Sequence, residues 1–233
     1  MTLKQKMLNW LDVIVLTMIF FGTAIYGSMV DFFALSEANQ VAPADLSFGA
    51  SENWSGIFME LGSLLVAFLY LQYRHFDFKQ LNFNANKWTL PKIALYILLA
   101  GSVATAYEIA QQALLPHWYP ADDSAHYSAT DHMNQWSLSL FLFALLNGFY
   151  EELFFIGLLV LVEKKHLLWV VLFSLVVRFA FHTYQGLAGA MVVTTLGVVF
   201  LLLRWKSDEL LPFMLAHSFF DVFGLGLPLY LLE

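Results

Sequence analysis

Cysteine is absent from this chain of 233 residues, and charged residues make up only 12% of it. The lack of cysteine excludes disulfide bonds, thiolate metal ligands and a cysteine nucleophile. The shortage of charge excludes an ordinary soluble domain, in which about a quarter of the residues are charged. The formal net charge of −7 offers no basic surface to nucleic acid, and we expect no such partner. Hydrophobic residues account for 60% of the chain, so a lipid bilayer is the solvent that suits it.

Seven hydrophobic stretches have about the length of a membrane-spanning helix, which needs roughly 20 mostly apolar residues. They are Leu11–Phe32, Ser55–Gln72, Leu90–Leu114, Gln135–Val162, Leu167–Thr183, Leu187–Arg204 and Leu210–Leu227. The fourth is long and the fifth is short, which predicts tilts or breaks in both. Arg74–Trp88 is charged and aromatic, and it fits either an interfacial helix or a plain loop. We therefore predict an all-α, polytopic helix bundle that forms a single membrane domain over residues 1–233.

The basic residues predict the orientation, because cytoplasmic loops are enriched in lysine and arginine. Ten of the 11 basic residues fall at one end of a seven-helix bundle, and the loops at the other end, Ala34–Trp54 and Pro116–Asn134, contain none. The eleventh, Arg178, lies inside a helix. We expect a cytoplasmic N-terminus and a C-terminus on the opposite side of what we take to be the plasma membrane.

Three of the predicted helices carry ionisable side chains at bilayer depth, where each costs about 2.5–3.5 kcal/mol and usually marks function. These residues are Glu151 and Glu152 on the fourth helix, Arg178 and His182 on the fifth, and His217 and Asp221 on the seventh. The pairs on the fifth and seventh helices are four residues apart, so the members of each pair share one helix face. We expect all three helices to direct these groups into one interior site.

Two kinds of chemistry are open to such a set of side chains. A carboxylate in a dry site can act as a general base on water, and a nearby histidine can hold that water or donate to an oxyanion. Glutamate and histidine are also common ligands of zinc, so a divalent metal can be bound here, and Glu151, His182 and His217 would be its ligands. No serine is paired with a base in a recognisable nucleophile motif. Direct attack by water is therefore the expected reaction.

The order of the motifs resembles that of the CAAX-protease and bacteriocin-processing family, which is also called Abi. The family's first motif reads Glu-Glu-x-x-x-Arg, its second ends in His, and its third is His-x-x-x-Asn or Asp. The resemblance covers about residues 135–227, which would form the catalytic core. It implies a glutamate-dependent intramembrane endopeptidase that acts on a membrane-associated or prenylated, CAAX-like substrate, either a peptide or a membrane protein.

The resemblance also implies a role for each motif residue. Glu151 would activate water with support from Glu152, His182 and His217 would position water or stabilise the oxyanion, and Asp221 would take the Asn or Asp role. One position departs from the family pattern, because Ile156 stands where the first motif has arginine, and this puts the activity in question. Arg178 stands where the second motif more usually has phenylalanine, so we hypothesise that its guanidinium reaches the glutamates from the fifth helix.

Two other functions compete with the protease. The departure at Ile156 favours a non-catalytic membrane scaffold or regulator on the same fold, and buried carboxylates also suit a proton-coupled transporter, although no repeated halves support one. Two further intramembrane acids, Glu60 and Glu108, are expected to serve helix packing or the lipid edge. In straight, upright helices the motif residues would differ in depth by roughly 12 Å. We therefore expect tilted or broken helices, with Gly148, Gly157 and Gly186 as weak points.

Overall fold

A computed structural model describes residues 7–37, 49–118 and 136–226. Seven α-helices make up most of these residues, and we number them α1 to α7 in chain order. They are α1 (Trp10–Glu37), α2 (Ala50–Tyr73), α3 (Thr89–Leu114), α4 (Leu138–Glu152), α5 (Leu167–Phe181), α6 (Gly186–Arg204) and α7 (Leu211–Phe223). Each coincides with one of the seven predicted stretches. The predicted all-α helix bundle is confirmed.

In the part of the chain that the structure describes, five helical segments are long and apolar enough to cross a membrane. They contain α1, α2, α3, α4 with its extension to Leu161, and α6 with the turn before it. The other two helices are shorter, at 15 residues for α5 and 13 residues for α7. At 1.5 Å per residue these two reach only about 20–23 Å, less than the roughly 30 Å of the hydrocarbon core. The chain is an integral, multi-pass membrane protein with two helices of reduced length.

The segment between α2 and α3 is a loop with a single turn of 3₁₀-helix at Phe78–Gln80. Its aromatic and aliphatic residues fold back onto the bundle, with Phe76 and Leu81 buried and Phe83 stacked on Phe149. Of the two structures expected for this segment, the loop is the one observed.

The last part of the predicted fourth helix departs from α-helical geometry. A π-helix occupies Leu153–Leu158 directly after Glu152, and a 3₁₀ turn follows at Leu159–Leu161. The change of hydrogen-bonding pattern leaves backbone groups to be satisfied from elsewhere, and Arg204 Nε donates to the Ile156 carbonyl oxygen at 3.1 Å. The break predicted for this long segment therefore lies immediately after the two glutamates.

Packing places α4 at the centre of the described bundle. It contacts α7 most extensively and packs on α2 along another face, while α5 lies between α1 and α6. Rings from α1 fill the interior on the α5 side, where Phe21 stacks on both Phe155 and Phe181. Because α4, α5 and α7 meet in this interior, their polar side chains lie close together.

Candidate active site

Glu151 and Glu152 are the last two residues of α4, and both side chains are buried. The helix begins at an N-cap serine, Ser137, whose hydroxyl accepts a hydrogen bond from the Leu140 backbone N–H. Consecutive residues of a helix project about 100° apart, so the two carboxylates have different neighbours. Glu152 makes short hydrogen bonds and is called the anchored carboxylate below, whereas Glu151 lies farther from its neighbours and is called the open carboxylate.

Glu152 is the anchored carboxylate. Its Oε1 accepts a hydrogen bond from Arg178 Nη2 at 2.7 Å and another from His217 Nδ1 at 2.6 Å. Arg178 comes from α5 and His217 from α7, so this single oxygen ties three helices together. A carboxylate that is 0% exposed would be costly without such partners, and the guanidinium offsets part of that cost.

Arg178 reaches the glutamates through an apolar slot between helices. Its guanidinium carbon lies 4.2 Å from the centre of the Phe155 ring, a cation–π contact. On its other side is Gly197 of α6, where an added Cβ would lie only 2.9 Å from Arg178 Cδ. The side chain is therefore packed in one position, with Nη1 3.5 Å from Glu151 Oε2. The guanidinium approaches both glutamates from α5, as the sequence hypothesis requires.

Glu151 is the open carboxylate. Its Oε2 lies 3.7 Å from His217 Nε2 and 3.5 Å from Arg178 Nη1, too far for a strong hydrogen bond to either. The same oxygen is buried and has no hydrogen-bond partner among the described residues. Glu151 thus combines a positively charged surrounding with an oxygen that is free to accept a proton.

Asp221 and Asn147 complete the site next to His217. Asp221 Oδ1 lies 3.5 Å from His217 Nε2, and its side chain is 24% exposed. Asn147 Nδ2 donates to Asp221 Oδ2 at 3.0 Å and approaches Glu151 Oε1 at 3.4 Å. Sequence reasoning missed Asn147, although its spacing of four residues from Glu151 on one helix was a usable signal.

His182 is buried at the end of α5, and one of its ring nitrogens is bonded to the backbone. Its Nδ1–H donates to the carbonyl oxygen of Arg178 at 2.8 Å, and its ring packs against Phe181 and Tyr184. Within the described part of the chain, no hydrogen bond or ion pair joins it to Glu151, Glu152 or His217. The expected convergence therefore includes Glu151, Glu152, Arg178, His217 and Asp221, while His182 lies one helical turn beyond Arg178.

A close approach of α4 and α7 brings His217 to the glutamates. A Cβ added to Gly148 would lie 2.6 Å from the Met214 carbonyl oxygen and 2.7 Å from the Ser218 backbone nitrogen. Only a residue without a side chain allows the two backbones to come so near. Gly148, which was expected to be a weak point, is instead the contact that sets the spacing of these helices.

The donor set fits a divalent cation in its chemistry. Glu151, Glu152 and His217 each offer a ligand atom, and these atoms lie within 4.8 Å of one another. The buried Oε2 atoms of both glutamates lack hydrogen-bond partners within the described residues. This group differs from the expected ligands, because it contains Glu152 where His182 was expected. Arg178 already supplies positive charge at the same place.

An apolar cavity of about 360 Å³ lies between α4 and α7. Its walls include Leu145 and Phe149 from α4 and Met214 and Leu215 from α7, and Ser218, which follows His217, contributes a hydroxyl. Cavities of this size and composition accommodate apolar groups. The cavity borders the two helices that carry the candidate catalytic residues.

Comparison with known proteins gave one family match, and neither curated proteins nor solved structures matched. The matching family model is described as type II CAAX prenyl endopeptidase Rce1-like, and it covers residues 133–223. That range contains both glutamates of α4, Arg178, and the His217–Asp221 pair. The match supports a membrane protease, a hydrolase, as the kind of protein. Residues 133–223 are therefore similar to the Rce1-like type II CAAX prenyl endopeptidases, and the resemblance predicted from the motifs is confirmed.

Proposed function

We propose that this protein is an intramembrane endopeptidase in which Glu151 activates a water molecule for attack on a peptide bond. The observation that carries the proposal is the contrast between the two glutamates. Glu152 is held by hydrogen bonds of 2.7 and 2.6 Å from Arg178 and His217, whereas Glu151 has only a 3.4 Å contact from Asn147. Among the described residues the buried Oε2 of either glutamate has no hydrogen-bond partner, so Glu151 is the one that is both loosely held and free to accept a proton. A general base needs such a free oxygen within reach of its water.

The proposed reaction proceeds in two proton transfers. The Glu151 carboxylate takes a proton from water while the water oxygen bonds to the carbonyl carbon of the scissile peptide. His217, held by Glu152 and flanked by Asp221, is close enough to donate to the resulting oxyanion. Glu151 then returns the proton to the amide nitrogen as the carbon–nitrogen bond breaks, which releases an amine and a carboxylate. His182, whose Nδ1–H is held by the Arg178 carbonyl oxygen, would use its other ring nitrogen to position water or stabilise the oxyanion.

The substrate we propose is a membrane-associated or prenylated, CAAX-like peptide or membrane protein. The apolar cavity between α4 and α7 supports this choice, because a lipid chain or apolar side chain could be bound beside the glutamates. A divalent cation such as zinc, if held by Glu151, Glu152 and His217, would polarise the attacking water. We further propose a plasma-membrane location with a cytoplasmic N-terminus, on the distribution of basic residues.

The test compares Glu151→Gln with wild type on a farnesylated, internally quenched CAAX-type peptide in detergent. Because the base is lost while the shape is kept, we expect the cleavage rate to fall at least about 100-fold with little change in the unfolding temperature. Glu163→Gln is the matched control, since Glu163 follows the same helical segment but is 44% exposed. Cleavage at the wild-type rate by Glu151→Gln would refute the proposed base.

The second candidate is a non-catalytic membrane scaffold or regulator, and Ile156 at the family's arginine position is the observation that favours it. A scaffold needs the fold but not the chemistry. A Glu151→Gln, His217→Ala double variant that supports full cellular function would therefore establish this candidate in place of the protease.

A further inference from the structure

Helix α2, which lies outside the matched range, directs a carboxylate towards the candidate site. The buried residues of α2 form one stripe with helical spacing, and they are Asn53, Ile57, Glu60, Ala67 and Leu71. Because α2 packs on α4, this stripe faces the helix that carries the glutamates. Glu60 therefore lies in the bundle interior, which fits the expected place in helix packing and not a place at the lipid edge.

Glu60 is within electrostatic range of the reacting groups. It lies close enough to Glu151, Asp221 and His217 to interact with them electrostatically. The residue is only 9% exposed, and its Oε2 is buried with no hydrogen-bond partner among the described residues. A buried polar atom without a partner costs free energy, and in native proteins ordered water commonly satisfies such an atom.

A second unpartnered oxygen lies on the same stripe, nearer the start of α2. Asn53 is 1% exposed and its Oδ1 has no hydrogen-bond partner in the described ranges, although its Nδ2 donates to Ser139 Oγ at 3.3 Å. Ser139 Oγ is in turn 2.9 Å from the hydroxyl of Ser137, which is half-buried at the start of α4. Polar groups thus continue from Asn53 to the edge of the bundle.

The contacts between α2 and α4 follow one another in the same direction along both helices. Asn53 meets Ser139 first, and the Phe143 ring then packs on Gly56, where an added Cβ would lie 2.6 Å from Phe143 Cε2. Glu60 follows one turn later, and the same register puts it opposite the turn of α4 that carries Asn147, whose amide contacts Glu151 Oε1. The two unpartnered oxygens are therefore on one seam, separated by the Gly56–Phe143 contact.

We propose that the seam between α2 and α4 holds ordered water on both sides of the Gly56–Phe143 contact, at Asn53 and between Glu60 and the Glu151 site, with Glu60 as a positioning residue for the second of these. Water is the ligand that fits, because it is small, donates to both carbonyl-type oxygens and needs only two to four polar partners. Its use as a supply for hydrolysis rests on the proposed function. The presence of the water does not, since it follows from the unpartnered oxygens of α2.

Radiolytic hydroxyl labelling with mass spectrometry tests the seam, because side chains next to bound water are oxidised preferentially. The protein is used in lipid nanodiscs, and Phe143 is compared with Phe58, which is 69% exposed on the outside of α2. We expect Phe143 to be labelled several-fold faster than Phe58. In Glu60→Leu and in Asn53→Leu the Phe143 rate should fall to the Phe58 level, whereas Glu60→Gln should retain it because an amide still binds water.

Two controls separate this inference from the proposed function. Glu151→Gln should keep the Phe143 labelling even though it abolishes cleavage, and Ser55→Leu on the exposed side of α2 should change neither. If wild type cleaves no peptide but Phe143 is labelled in a manner that depends on Glu60, the protease proposal fails and the water remains. Phe143 labelling that equals that of Phe58, or that persists in both leucine variants, overturns the inference.

Discussion

Single residues show how two neighbouring glutamates acquire different tasks. Arg178 and His217 both donate to one oxygen of Glu152, so that carboxylate is neutralised and fixed. Glu151 shares the same positive surroundings at longer distances and keeps a free oxygen. The difference follows from the 100° between consecutive side chains of a helix, since the two carboxylates then meet Arg178 and His217 at different distances.

Replacing Arg178 should show how much the ion pair with Glu152 contributes to the free energy of unfolding. Arg178→Leu leaves Glu152 charged in an apolar interior, and we expect a loss of about 3–5 kcal/mol in the free energy of unfolding. Arg178→Leu combined with Glu152→Gln should be less destabilised than Arg178→Leu alone, because no unpaired charge remains. Chemical denaturation in detergent measures both. Equal destabilisation of the single and double variants would show that the ion pair is not the cause.

Arg178→Leu also tests the hypothesis that Arg178 takes the role of the family's motif arginine, whose position is occupied here by Ile156. If Arg178 does what the motif arginine does in the family, Ile156→Arg should restore cleavage to Arg178→Leu, because a guanidinium would again reach the glutamates from α4 itself. A wild-type cleavage rate in Arg178→Leu alone would remove the hypothesis. A folded double variant, Arg178→Leu with Ile156→Arg, that does not recover cleavage would also remove the hypothesis.

The sequence was sufficient to find the motif residues but not all their neighbours. Glu151, Glu152, His217 and Asp221 stood out because ionisable groups are rare at bilayer depth and were paired at helical spacing. Glu60 carried no such pairing on its own helix, and its proximity to the site depends on the packing of α2 on α4. The orientation of His182 depends on the local hydrogen bond at the end of α5, which no spacing rule could predict.

Helix α4 illustrates how an irregular element can place reactive groups. Its α-helical part ends at Glu152 and a π-helix begins at Leu153, so both glutamates lie at the junction. Such π segments are often found at functional sites because they redirect side chains without ending the helix. A break was predicted from the length of this stretch and from the spread in depth, but its position and type depend on tertiary contacts such as that of Arg204.

Gly186 is the second place where an element changes direction. Its φ of 74° lies in the region that favours glycine, and it joins the 3₁₀ turn at Thr183–Gln185 to α6. The chain thus reverses directly after His182. The predicted weak point at Gly186 coincides with this turn, whereas Gly148 turned out to be a site of close packing.

The α4–α7 contact should be sensitive to a single methyl group. Gly148→Ala places a carbon within 2.6 Å of the Met214 carbonyl oxygen, so the helices must separate, and we expect a loss of about 1–3 kcal/mol in stability together with reduced cleavage. Gly62→Ala is the matched control, because nothing lies within 4 Å of the added carbon on α2. Thermal unfolding measures both variants. A Gly148→Ala protein as stable as the control would contradict the close packing.

In the molecule as a whole, the start of α1 and the residues just before it contact the end of α2 and the residue that follows the irregular part of α4. Asp12 accepts hydrogen bonds from Arg74 Nε and Nη2 at 2.5 and 2.9 Å, and from Tyr70 at 2.7 Å. Leu8 forms an isolated β-bridge with Val162, next to the end of the irregular part of α4. These contacts join the helices outside the matched range to the helices that carry the candidate site.

Asp12→Ala should weaken the contact between α1 and the end of α2. It leaves the Arg74 guanidinium and the Tyr70 hydroxyl without their acceptor, and we expect a loss of about 3 kcal/mol in unfolding free energy. Asp31→Ala is the control on the same helix, because Asp31 is exposed. Unfolding by urea in detergent compares them. A loss no larger than that of the control would contradict the role of Asp12.

The pH dependence of that loss follows from Arg74. The hydrogen bonds to Asp12 raise the pKa of the Arg74 guanidinium above its ordinary value, so the stabilisation is fully present below the unfolded pKa and is lost only as pH rises through the higher folded value. The difference between wild type and Asp12→Ala should therefore stay constant from about pH 7 to 10.

The hydrogen bond from Trp10 to His166 spans 156 residues of sequence, and it has a consequence for biosynthesis. The ribosome makes α1 long before α5, so Trp10 and the aromatic face of α1 enter the bilayer before their partners exist. During that interval α1 must be accommodated by lipid or by the insertion machinery. The bundle is therefore completed only when α5 enters the membrane and packs against α1, which was inserted much earlier.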